Sequence, residues 1–306
     1  MTWRSRYRQQ ERHNEITNYE LRITNYELSL VTIMRLSSLL NHRITAVIEN
    51  EWAQLTRSKV VIFTTLVPPV LLVAVALMLL FLSSLLDAEA LTASPEISAF
   101  LAANDIGPST LSHVDTVRAA LLSPFLVLFQ MIPLVVPITI ASYTIIGEKQ
   151  SRSLEALLAT PIRTWELLTG KALAAALPGI LVSWYSFSIF AIVARFVVSD
   201  QLFNRLVVGP TWMLTITILT PLLTFLAVGL GIIISSKVKD AQSAQQLGSL
   251  VILPLIGALI AQLAGAVNIN VGVVLLSALV VGLIDLALLS AAVRLFKREA
   301  ILTTWR

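Results

Sequence analysis

The chain is 306 residues long, 56% hydrophobic and only 13% charged, with a mean hydropathy of +0.82. Soluble domains carry about 25% charged residues, so neither an ordinary soluble globule nor a disordered chain fits. The absence of cysteine excludes a disulfide framework, a thiolate metal site and a cysteine nucleophile, and a net charge of +4 is too small to name a partner.

Residues 1–33 differ from the rest. ITNYEL at 16–21 recurs unchanged at 23–28, too short a repeat for a coiled coil. An unchanged copy points to a duplicated nucleotide tract translated upstream of the true start, with Met34 as initiator; a genuine extension is the alternative. No cleavable signal peptide is visible, because the first apolar run begins late and is too long for an h-region. Residues 34–59 read as an amphipathic helix: Leu36, Leu39, Leu40, Ile44, Val47, Ile48, Trp52 and Leu55 recur every three or four positions, opposite Asn41, Arg43, Glu49, Asn50 and Arg57. Such a helix is expected to lie in the membrane interface, a depth that suits Trp52.

Residues 60–306 form the membrane domain. A bilayer core of about 30 Å needs roughly 20 apolar residues in helix, and 60–86, 119–147, 172–194 and 206–236 are each free of charge. The stretch 241–284 is uncharged over 44 residues. As one helix it would run about 66 Å, so it must fold back. Asn268-Ile269-Asn270 followed by Gly272 is the plausible turn, giving spans near 246–266 and 271–293. The expectation is an all-α integral membrane protein of six spans.

An even number of spans puts both termini on one side, and retained positive charge says which. Nineteen of the 22 lysines and arginines fall in 1–59, 147–171, 235–245 and the C-terminal end, leaving Arg118, Arg195 and Arg205 for the other side. The 87–118 loop there carries Asp87, Glu89, Glu96, Asp105 and Asp115. Both termini and the 147–171 loop are therefore expected to be cytoplasmic.

That loop reads GEKQSRSLEALLATPIRTWELLTGK. Ser153 is placed to cap a short helix with Leu154, Leu157 and Leu158 on one stripe. Thr160-Pro161 stops it and starts a second through Ile162, Trp165 and Leu168. A short amphipathic helix hung between two spans can dock in the groove of a soluble partner, or simply lie on lipid.

The run Glu148-Lys149, Ser153-Leu154-Glu155, Leu157-Leu158, Thr160-Pro161, Glu166-Leu167-Leu168 and Gly170-Lys171 resembles the coupling-helix loop of type 2 ATP-binding-cassette (ABC) exporter permeases. SSKVKDAQSAQQLGSLVILPL at 235–255 is similar to that family's second cytoplasmic loop and proline-containing fifth span. The resemblance covers 35–306, with Arg152-Ser153 standing where the family often has Gly-Thr. It implies a permease subunit of the bacterial cytoplasmic membrane that exports substrate while a separate ATPase subunit binds ATP and magnesium and hydrolyses the nucleotide. It also implies a second permease protomer, identical or not, with the ligand path between them.

In that reading Leu154, Leu157 and Leu158 seat in the ATPase groove, Arg152, Glu155 and Arg163 set orientation at its rim, and Glu148, Lys149, Ser153, Thr160 and Pro161 belong to the same docking segment. The chain itself is expected to bind no cofactor: its one Gly-Lys, at Gly170-Lys171, has Trp165 and Ala172 where a phosphate-binding loop needs glycine and Ser/Thr. Membrane lipid is the remaining partner; no nucleic-acid partner and no metal site are expected.

Within the spans, Asp285 is the single deeply placed carboxylate, about 12 Å from the cytoplasmic edge, where an ionisable group costs roughly 2.5 to 3.5 kcal/mol on insertion scales. A hydrogen bond to a neighbouring helix is the favoured role. A gradient-driven secondary transporter using Asp285 is the alternative function, although no inverted repeat is evident. Trp184, Tyr185 and Phe187 in span three, with Gln130 in span two, are candidate substrate-path residues, helix packing being the competing role. Pro133, Pro137, Pro178-Gly179, Pro221 and Pro254 are candidate kinks. An intramembrane enzyme is excluded by chemistry: His13, His42 and His113 all fall outside the spans, and Asp285 has no second carboxylate.

Overall fold

The computed structural model describes residues 42, 44–103, 111–151, 164–238 and 240–302. Every regular element among them is a helix, as a bilayer requires of a chain that does not close a barrel. Six are long and apolar enough to cross a membrane: Val61–Leu85, His113–Gly147, Thr169–Val197, Asp200–Ser235, Ala241–Leu263 and Val271–Ser290. We call them spans one to six. The 1–33 segment and the start of the amphipathic helix lie outside the described residues.

Spans two and four form the centre, with 61% and 56% of their most apolar windows buried, against 11% for spans five and six. Their contact is close because small residues face each other: a Cβ on Gly231 of span four would stand 3.0 Å from the Ala141 Cβ of span two. Gly179 of span three does the same job from the side. A Cβ there would fall 2.5 Å from the Pro137 ring and 3.3 Å from Thr224, so one glycine lets spans two, three and four meet. Towards the loops that join spans one to two and three to four, Phe129, Phe187, Phe190 and Trp212 form one aromatic cluster, with ring centroids 5.4 to 6.5 Å apart.

The prolines have different consequences. Pro137 and Pro178 sit inside continuous helices. Span two breaks around Ser123-Pro124 and Gln130-Met131 into His113–Leu122, Phe125–Phe129 and Ile132–Ser151. Span four widens into a π-helical turn, Thr215–Leu219, just before Pro221. In that register the Ile216 carbonyl would look to the amide of residue 221, and proline has none. The Trp184 indole fills the place, donating from Nε1 to Ile216 O at 3.0 Å.

Three sequence expectations are refined. Span two begins at His113 rather than near 119, because Asp115 and Arg118 pair at 3.3 Å and Arg118 Nε donates to Ser83 Oγ, which removes the charge barrier to packing. The hairpin between spans five and six lies where Asn268–Asn270 placed it, but its left-handed residue is Gly265 at φ 69°, not Gly272. Asn270 instead caps span six, its Oδ1 accepting from the Val273 amide at 3.1 Å. The 87–118 loop is partly helical, over Ala88–Ala93 and Pro95–Ala103.

Candidate functional site

The residues expected to meet a partner, Arg152, Ser153, Leu154, Glu155, Leu157, Leu158, Thr160, Pro161 and Arg163, lie outside the described residues. Glu148 and Lys149 fall on the last turns of the helix Ile132–Ser151, which runs on past Gly147 without a break. On the far side the chain re-enters helix at Thr164 and continues unbroken to Val197. Each end of the loop is thus a rod-like prolongation of a membrane span.

The return rod is clamped from the side. Helix 44–55 lies across it: a Cβ on Gly170 would come within 2.7 Å of Val47 Cγ1, so the backbones approach closely only because residue 170 is glycine. Trp52 Nε1 donates to Ala174 O at 3.0 Å. Between these contacts Lys171 Nζ donates to Glu51 Oε1 at 2.5 Å, with side chains only 6% and 3% exposed. Glu166, one turn back, is fully enclosed as well. The amphipathic helix is therefore not only a lipid-facing element, as its apolar stripe alone implied; it buries Val47 and Glu51 against span three while Glu49 and Asn50 stay exposed. Sequence reasoning missed this pair. The available signal was the place of Glu51, four residues after Val47 and four before Leu55, on the apolar stripe of its own helix.

The outgoing rod is braced by the start of span five. Asp240 caps that helix, its Oδ1 accepting from the Ser243 amide at 2.8 Å. This backbone hydrogen bond, followed by one to the Ser243 side chain, holds the Asp240 carboxyl below its ordinary pKa. Gln245 Nε2 then donates to Thr139 Oγ1 at 3.1 Å, and a Cβ on Gly248 would stand 2.5 Å from Ile138 Cγ2. The 235–255 stretch, singled out in the sequence, thus packs on span two near the loop.

The candidate substrate-path residues are not brought together. Phe187 is buried in the aromatic cluster, and Gln130 is enclosed, its Oε1 accepting from Thr220 Oγ1 at 3.0 Å. Trp184 is exposed, its indole committed to Ile216 O of span four, one turn along from the Trp212 that Phe187 meets. Tyr185 borders an apolar crevice of about 390 Å³ between helix 44–55, span one and span three, with Leu55, Thr65, Pro178 and Leu181.

Asp285 requires a correction. The expected hydrogen bond to a neighbouring helix is not made: both carboxylate oxygens are enclosed, and no described residue donates to either. The physical reason is the facing surface, where Leu222, Phe225, Val228 and Gly229 of span four carry no side-chain donor.

Compared with known proteins, the chain matches the family model of the ABC-2 family transporter proteins over residues 45–297. No curated protein matches it. The match takes in helix 44–55 from its second residue, all six spans and the 147–171 and 235–245 loops, and the chain belongs to the ABC-2 family of transporter proteins.

Proposed function

We propose that this permease works as half of an ABC exporter: it pairs with a second permease protomer, receives a separate ATPase subunit on the 147–171 loop, and moves a hydrophobic or amphipathic substrate outward. The observation that carries the reading is the coincidence of the family match with a loop whose two ends continue as spans two and three. Leu154, Leu157 and Leu158 seat in the ATPase, Arg152, Glu155 and Arg163 orient it, Ser153 and Thr160-Pro161 cap the docking helices, and Glu148-Lys149 border the entry. ATP and magnesium stay on the partner. The distribution of lysine and arginine supports a cytoplasmic position for this loop and for both termini.

As the ATPases close, the loop is displaced and the two rods turn it into motion of spans two and three. Because the return rod is clamped to helix 44–55, that helix moves with it along the membrane surface. The test is an affinity purification of the full chain under mild extraction, with an ATPase assay on the eluate. A co-purifying ATPase is expected, with its association lost in Leu157→Asp while membrane insertion is unchanged. An ATPase that still co-purifies with Leu157→Asp and supports normal transport refutes the docking assignment.

A further inference from the structure

Spans four and six run side by side, with a glycine of each facing a leucine of the other. A Cβ on Gly229 of span four would meet Leu288 at 3.5 Å, and one on Gly282 of span six would meet Leu222 at 3.9 Å. Between these two contacts, about one turn from each, stands Asp285. The helices do not close over it. A cavity of about 310 Å³ opens there, walled by Phe225, Val228 and Ile232 from span four, Leu286 and Leu289 from span six, and Ala172 at the beginning of span three. Its surface is almost wholly hydrocarbon, and its one ionisable group is the Asp285 carboxyl, both of whose oxygens are shut from solvent and have no donor among the described residues.

A carboxyl enclosed in hydrocarbon without a donor is costly to ionise, and that cost is offset when a cation arrives with its own apolar body. The described cation beside the wall is committed elsewhere: Lys171, next to Ala172, pairs with Glu51. We propose that the cavity between spans four and six is a binding site for a lipophilic organic cation, with Asp285 as its anionic contact and the leucine and phenylalanine walls holding its apolar body. Resting on the exporter reading, this names the substrate class: positively charged amphiphiles, taken up in the half of the membrane nearer the 147–171 loop. An apolar pocket with one polar group that fixes orientation is the usual form of a small-molecule site. The charge also supplies selectivity, because an anion of the same shape would face repulsion in a medium of low dielectric constant.

The experiment uses two probes of matched shape and opposite charge, tetraphenylphosphonium and tetraphenylborate, in equilibrium dialysis against the purified full chain in neutral detergent, without any ATPase. Saturable phosphonium binding is expected, at least about tenfold weaker in Asp285→Asn and retained in Asp285→Glu, with tetraphenylborate bound no better than by an empty micelle. Elution of all three proteins at one position in size-exclusion chromatography guards against misfolding. An ammonium-bearing lipid head group presents the same chemistry, so the measurement is repeated in nanodiscs with and without phosphatidylethanolamine. Competition by that lipid identifies it as the source and its absence identifies a free cation, both leaving Asp285 as the contact. Absent phosphonium binding, equal binding by wild type and Asp285→Asn, or equal binding of the two probes overturns the proposal. Since the dialysis contains no ATPase, such a result leaves the exporter reading standing; loss of ATPase association with phosphonium binding intact does the reverse.

Discussion

Removing the Glu51 carboxylate should do more harm than removing the whole ion pair. Glu51 and Lys171 lie 120 residues apart in sequence and meet at 2.5 Å with 3% and 6% of their side chains exposed. An exposed pair would be worth about 0 to 1 kcal/mol. A buried one is different, because deleting one partner removes a desolvated, charge-assisted contact worth about 1.5 to 3 kcal/mol, whereas replacing both by apolar residues of similar volume is often neutral or stabilising. Glu51→Ala is therefore expected to lower stability by about 2 kcal/mol, roughly thirtyfold in the folded-to-unfolded ratio. Glu51→Met combined with Lys171→Met should recover most of the loss.

The assay is a denaturation series in mixed micelles on the four members of the cycle, read by the fluorescence of the tryptophans, of which Trp52 and Trp212 are well placed. If the Met/Met double variant is as unstable as Glu51→Ala, the loss comes from packing of helix 44–55 and not from the broken ion pair. A Glu51→Ala effect under 1 kcal/mol would refute the claim that the Glu51–Lys171 contact is a desolvated, stabilising one. Transport should separate from stability here: the double variant keeps the clamp's shape through Val47–Gly170 and Trp52–Ala174, so its ATPase coupling is expected to stay near wild type.

Other expectations concern close approach, capping, docking and the buried carboxylate. Gly179→Ala puts a methyl 2.5 Å from the Pro137 ring and should cost about 1 to 3 kcal/mol by overpacking, while Gly257→Ala, with nothing within 4 Å, should cost nothing measurable in the same denaturation series. Asp240 has a folded-state pKa below its unfolded value of 3.8, so its cap contributes above that value and is lost as the pH falls through the folded pKa. Hydrogen exchange at the Ser243 amide should accordingly be faster in Asp240→Ala than in wild type at neutral pH, a difference that vanishes well below pH 3.8; an unchanged rate at neutral pH would mean that the cap does not hold the turn. Leu157→Asp should release the ATPase, and Asp285→Asn should weaken phosphonium binding, each read in the experiments described above.

The spans were legible in the sequence because a bilayer makes helices answer to a local rule. About 20 uncharged residues with every backbone group satisfied within the segment can be found without knowing any neighbour. The same holds for the fold-back after Ala241 and for Trp52 on its helix face. Residues 152–163, which carry the family resemblance, are legible only as pattern, and their structure lies outside the described residues. The four candidate path residues fail as a group for a geometric reason. Trp184 and Phe187 sit three positions apart on one helix and both meet span four, yet burial separates them: Phe187 is enclosed in the aromatic cluster, while the π-turn carbonyl holds Trp184 at the exposed edge of that contact.

What the sequence determined alone is the membrane class, six spans and the family, since hydrophobic run length, charge distribution and loop motif are each local quantities. Only the tertiary structure decided that Glu51 reaches Lys171, that Gly179 lets three spans converge, and that Asp285 opens into a cavity with no donor facing it. In hydrocarbon, apolar area does not tell a helix which way to turn, because lipid tails and protein core are equally apolar. Rotation and pairing are set instead by small-residue contacts and a few polar groups, and those are properties of two helices at once.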